Sequence, residues 1–133
     1  MSAATVHPLI SRYAARHGIP DAVRADGRAT LMIDGKYRVH LAPARNGWVA
    51  INARLCALPP RGLARERFLT EIGKQAAGML SRQASACVVD PAGESLCLQH
   101  MVRPDSGEIG MDEAVGQFAN ALSFWIGAAR RAA

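Results

Sequence analysis

The chain has 133 residues, 50% hydrophobic, 20% charged and 5% aromatic, with 16 Lys and Arg against 11 Asp and Glu for a formal charge of +5. That length and balance predict one globular domain able to bury its own core, and they exclude a disordered polymer. The positive charge permits an anionic partner, but the basic residues are scattered apart from "RGLARER" and the terminal "RR", and no aromatic is interleaved with them for base stacking, so the charge reads mostly as solvated surface. No stretch approaches the ~20 apolar residues of a membrane span, and the start lacks the basic leader and apolar run of a secretory signal. Cys56, Cys87 and Cys97 are odd in number, which reads most simply as reduced cytosolic thiols.

In chain order, the first predicted element is a helix marked by Pro8 in its first turn and by Gly18 after its end, with Val6, Leu9, Ile10 and Tyr13 as its apolar stripe. Ile19-Pro20 breaks it. Three strands follow, near residues 28–33, 36–42 and 48–55. The first two are joined by Asp34-Gly35, a strong hairpin signal, and the last two through "PARNG". If Asp34 and Gly35 are the whole loop, Ile33 faces Lys36, Met32 faces Tyr37 and Leu31 faces Arg38. Thr30, Met32, Tyr37 and Val39 then share one face, and Leu31, Ile33, Lys36, Arg38 and His40 share the other. Such a hairpin is apolar on both sides and needs cover on both.

"ALPPRG" ends the meander, because two prolines cannot continue a ladder. From Leu63 to about Arg82 the period is helical, with Phe68, Leu69, Ile72, Ala76, Met79 and Leu80 on one stripe. Gly73, Ala77 and Gly78 sit in this helix, and the two glycines weaken it unless another backbone comes very close. A hairpin around "DPAG" joins residues 86–90 to residues 94–102 and sends Cys87 and Cys97 to opposite faces, which argues against a disulfide or a shared metal. The last helix, Met111 to Arg130, carries Met111, Val115, Phe118, Leu122, Trp125 and Ile126 at helical spacing, with Asp112 and Glu113 in its first turn. The order α-β-β-β-α-β-β-α predicts an α+β fold, an antiparallel sheet packed against helices in one domain over residues 1–133.

Chemistry-bearing motifs are lacking. No glycine-rich phosphate loop occurs, and His7, His17, His40 and His100 lie at no metal-ligand spacing from one another or from a cysteine. Surface helix charge explains Glu66, Glu71, Asp112 and Glu113 as well as catalysis does. No catalytic residue, cofactor or metal is expected. From charge alone, the competing reading is a small basic nucleic-acid-binding or regulatory domain.

The succession of "RHGIP", "DGRATLMIDGKYRVHLAP", "WVAINARLCALPP", "FLTEIGKQAAGML", "ACVVDPAGESLCLQHMV" and "VGQFANALSFWIGAAR" resembles the class I type III secretion chaperones, the family that includes the Tir chaperone. The likeness lies in the order and length of the elements, the small-residue-rich middle helix and the late Phe118 and Trp125. It implies a non-enzymatic homodimer in the bacterial cytoplasm. Such a dimer binds the unfolded N-terminal region of a secreted effector, keeps it competent for secretion, and has the secretion ATPase as a further partner. It also implies a dimer interface at Ile72, Gly73, Ala76, Met79 and Leu80 with Cys87, Val88 and Val89. Client side chains would settle near Leu9, Ile10, Tyr13, Leu31 and Ile33, sharing with the first helix the cover that the opening hairpin needs. The basic balance of this chain departs from the acidic one usual in the family.

Overall fold

Helix α1 (Pro8–Arg16) begins where Pro8 pre-sets the first turn, and it ends before Gly18, whose φ of +70° suits the left-handed residue after a helix. His7 caps it: Nδ1 accepts the Leu9 N–H at 3.1 Å while Nε2 bonds the Gly47 carbonyl, which ties the helix start to a sheet turn. The computed structural model describes residues 7–79 and 85–133. Beyond α1 come β1 (Ala29–Ile33), β2 (Tyr37–Pro43), β3 (Val49–Ala57), α2 (Leu63–Met79), β4 (Ala86–Val89), β5 (Ser95–Val102) and α3 (Gly107–Ala132). This is the expected α+β order. α3 starts a turn earlier than its apolar stripe suggests, so Glu108, rather than Asp112, is the acid in its first turn.

The strands form one antiparallel sheet in the order β1-β2-β3-β5-β4, with β1 and β4 at its edges. One face meets the helices. Leu31, Val39, Leu41, Val49, Ile51, Ala53, Leu98 and Val102 are buried on it beneath Met111, Phe118, Leu122 and Trp125 of α3. α1 packs on α3 at the β1 side and α2 packs on α3 at the opposite side. Arg16 fastens α1 to α3 through Asp112, at 2.6 Å, and Glu108, at 3.5 Å.

The opening hairpin differs from expectation by one residue. Asp34 and Gly35 take φ of +55° and +68°, as a tight turn requires, and the Lys36 N–H bonds the Ile33 carbonyl at 3.1 Å. The ladder closes one residue later, however, with Ile33 opposite Tyr37 and Leu31 opposite Val39, so Lys36 belongs to the loop. Because side chains alternate, this shift exchanges the faces of one strand relative to the other. Ala29, Leu31, Ile33, Tyr37, Val39 and Leu41 share the core side, while Thr30, Met32, Arg38 and His40 share the outer side. The hairpin is therefore apolar on one face only. The second hairpin pairs Cys87 with Leu98 and Val88 with Cys97, which keeps the two cysteines on opposite faces. A bulge between Arg54 and Cys56 lets both Leu55 and Cys56 pack against the core.

Candidate functional site

Two flanks of the molecule are open. The first runs between α1 and β1, where Tyr13, His17, Ile19, Thr30, Leu31, Met32 and Ile33 line a groove of about 430 Å³. Its walls follow from the local sequence. Tyr13 stacks on His17 one helical turn later, with ring centroids 4.1 Å apart, and His17 in turn contacts Asp112 at 3.3 Å. Burial raises the Tyr13 phenol above its ordinary pKa, Asp112 adds to the rise, and Arg16 opposes it. Arg16 holds the Asp112 carboxyl below the usual carboxylate range, mainly through their hydrogen bond. The floor is β1. Past its single bridge to Val23, the outer edge of β1 has no strand partner among the described residues.

Of the five residues expected to meet a client, Tyr13, Leu31 and Ile33 come together on this groove. Leu9 and Ile10 do not reach it: they are 7% and 0% exposed and belong to the core beneath α1. Leu31 is itself only 5% exposed, and Tyr13 8%. With the register shifted, their own chain covers them, and Ile33 and Met32 are left at the rim. Met32 is 57% exposed. Ile19 and Met32 were not foreseen. Ile19 follows the end of α1, and a two-residue loop would place Met32 on the core side, whereas the observed register brings it to the rim.

The second flank is the far side of α2 with edge strand β4. Phe68 and Ile72 are buried against the core of their own chain. Gly73, Ala77, Gly78 and Leu63 are exposed, and Ala76 is half-buried. A Cβ placed at Gly73 or Gly78 would meet no atom of the described chain within 4 Å, so the close backbone expected there is not supplied within the described chain. On β4, Cys87 and Val89 point to the core side and Val88 to the outer side, with Val89 46% exposed. Met79 ends α2, and Leu80 lies outside the described residues. The Cys87 thiol is pushed up to about 12 by burial, and Cys56 and Cys97 are raised for the same first reason. Among the described residues no group of three or more His, Cys, Asp or Glu could hold a metal ion, and no helix is long and apolar enough to cross a membrane.

No family model matches the sequence, and no curated protein is similar to it. Among solved structures the fold is found in type III secretion chaperones. The complex of the Yersinia pestis type III secretion chaperone SycH with a stable fragment of YscM2 matches over 91% of this chain and 99% of the other, with a TM-score of 0.63 at 15% identity. The HopA1–SchA chaperone–effector complex matches over 90% and 91%, with a TM-score of 0.65 at 10% identity. The ExsC–ExsE complex matches over 90% of each chain, with a TM-score of 0.64 at 15% identity. The present chain thus has the fold of type III secretion chaperones along nearly its whole length.

Proposed function

We propose that this protein is a cytoplasmic chaperone of a type III secretion system, which binds the extended N-terminal region of a secreted effector as a homodimer and keeps it competent for secretion. The observation that carries the reading is the fold, shared over nine-tenths of the chain with proteins solved in complex with partners, one of them a chaperone–effector pair. The groove between α1 and β1 suits such a client. Its apolar floor and rim accept side chains, and the free edge of β1 accepts backbone hydrogen bonds from an added strand. Binding without turnover is the corresponding role, with release of the client at the secretion ATPase.

The homodimer is supported by α2. Two glycines weaken a helix by about 1 kcal/mol each relative to alanine, and nothing within the described chain uses the space they leave. A second copy packed on Gly73, Ala77 and Val89 would use it, in an interface burying on the order of 2,000 Å². The test is co-expression with the product of the neighbouring open reading frame, because such chaperones are commonly encoded beside their clients. Light scattering should give twice the 14.2 kDa chain mass for the protein alone and one client per dimer for the complex. A monomer at micromolar concentration, or a neighbour that does not co-purify, would remove the reading.

A further inference from the structure

The outer face of the sheet, turned away from all three helices, carries a cross-strand row of polar side chains. Thr30 lies opposite His40, His40 opposite Asn52, and Asn52 opposite Gln99, so one hydrogen-bonding line crosses β1, β2, β3 and β5. On one side of this row the paired residues are Ala42 and Ala50, and their short side chains leave a trough of about 460 Å³ with Arg24 and Arg28 at its β1 end. On the other side β2 and β3 diverge beyond the His40–Asn52 pair. The split is a cleft of about 380 Å³ lined by Lys36, Arg38 and Arg54 above apolar Ala53, Leu122 and Ile126. His40 borders both spaces.

The charge here is almost all of one sign. Arg24, Arg28 and Arg38 all act on His40 to lower its pKa, after burial, and no carboxylate opposes them there. Among the described residues Arg24 donates to the Thr30 hydroxyl, at 3.5 Å, and Arg54 to the Ser95 hydroxyl, at 3.0 Å, with the Asp90 carboxylate acting on Arg54 electrostatically. Among the described residues the one carboxylate within ion-pair distance of the group is Asp26, 4.0 Å from Arg28. At the α1–α3 junction, by contrast, Arg16 has two acidic partners. The trough also joins the α1–β1 groove, since Thr30 lines both of those spaces and Met32 lines both the groove and the cleft.

We infer that the outer sheet face binds an acidic, extended segment of the client, which leaves the α1–β1 groove over the edge of β1 and lays its carboxylates among Arg24, Arg28, Arg38 and Arg54. This rests on the function proposed above and adds the chemistry of the second stretch of client. Arginine suits the task because its planar fork grips a carboxylate with two parallel hydrogen bonds. Thr30, Asn52 and Gln99 can hydrogen-bond the peptide backbone that crosses them. A second copy of this chain seated face to face would set the same cations opposite themselves. A nucleic acid fits less well, since the aromatic at the cleft, Tyr37, is half-buried and points to the core side of the sheet, whereas continuity with an apolar groove suits a polypeptide.

The probes are three fluorescein-labelled molecules. Two are peptides of about twelve residues, long enough at ~3.3 Å per residue to span groove and trough. Each has a leucine-bearing first half, and the second half carries four glutamates in one peptide and four glutamines in the other. The third is an oligothymidylate of similar length. Anisotropy at about 50 mM salt should show the glutamate peptide binding about tenfold tighter than the glutamine peptide, the sum of several exposed charge pairs. The preference should fall to about twofold near 500 mM. The double variant Arg24→Gln/Arg38→Gln should bring the two peptides to parity, while Arg130→Gln, at the far end of α3, should leave the preference intact. The inference is overturned by parity in the wild type, by a preference that survives the double variant, by an oligothymidylate that binds as tightly as the glutamate peptide, or by binding of neither peptide. Ile33→Asp separates the two readings. If it weakens both peptides but no glutamate preference exists, the groove stands and the acidic segment falls. If the preference exists and Ile33→Asp changes nothing, the groove reading fails instead.

Discussion

Two neighbouring positions on β1, Leu31 and Ile33, share the core side of the sheet yet should respond differently to aspartate. Leu31 is 5% exposed and opposes Val39, so Leu31→Asp removes about 1.5 to 3 kcal/mol of apolar burial and buries a carboxylate with no partner. The second effect is worth several kcal/mol more. Against a total stability of about 5 to 15 kcal/mol, the variant should be largely unfolded. Ile33 opposes Tyr37 at the rim of the groove and is only half-buried, so its aspartate remains solvated. Ile33→Asp should cost about 1 kcal/mol, a fall of a few degrees in melting temperature for a chain of this size. It should nevertheless lose the client, because the charge stands where an apolar anchor would settle. Urea unfolding followed by circular dichroism reads the first effect, and retention of the neighbouring gene product on the tagged chaperone reads the second. Leu31→Ala calibrates the scale, with an expected loss of about 2 to 5 kcal/mol. The reasoning is refuted if Leu31→Asp melts like wild type, which would mean that the residue is not core, or if Ile33→Asp still retains the client.

Gly73→Glu should yield a monomer that keeps its helical circular dichroism, because the position is open within the described chain and only a second copy would feel the charge; analytical ultracentrifugation checks it, and an unchanged dimer would move the interface elsewhere. Alkylation by iodoacetamide at pH 8 should be slow at Cys56, Cys87 and Cys97 in the folded protein and fast in urea, since burial holds each thiol above its ordinary pKa, Cys87 at about 12; mass spectrometry of the modified peptides reads it. Asp112 is held below its ordinary 3.8, so its link to Arg16 stabilises the fold above that value and loses its effect as pH falls through the lower folded pKa. The melting temperature of Arg16→Gln should therefore lie below that of wild type at pH 7, and the gap should narrow as the pH falls below 3.8.

The order of the elements was legible because their boundaries are chemically marked. Pro8 and Gly18 bracket α1, Pro59-Pro60 ends the meander, and the step from period two to period 3.6 at Leu63 announces α2. The register of β1 on β2 was not legible. Asp34-Gly35 fixes the turn, but whether Lys36 joins the ladder depends on which register buries Leu31, Val39 and Leu41 together, and that is decided by the helices packed above. The one-residue difference blurred the groove and hid the outer-face site. It made Leu31 look open to a client, and it separated Thr30 and Met32 from Arg38 and His40, with which they form the outer face. The cationic cluster was invisible for a further reason: Arg24, Arg28, Arg38 and Arg54 are spread over thirty residues of sequence, and only the sheet brings them together. The α2 glycines were legible as an oddity, and nothing within the described chain fills the space beside them.

Hydrogen exchange of the co-purified complex, compared with the protein alone, tests the central claim most directly. A client laid along α1 and β1 should slow exchange in peptides covering Tyr13 to Ile19 and Ala29 to Ile33, where the edge of β1 gains a strand, and leave the second half of α3 unchanged. A complex that forms without protection at β1, or with protection confined to α2 and α3, would contradict the account.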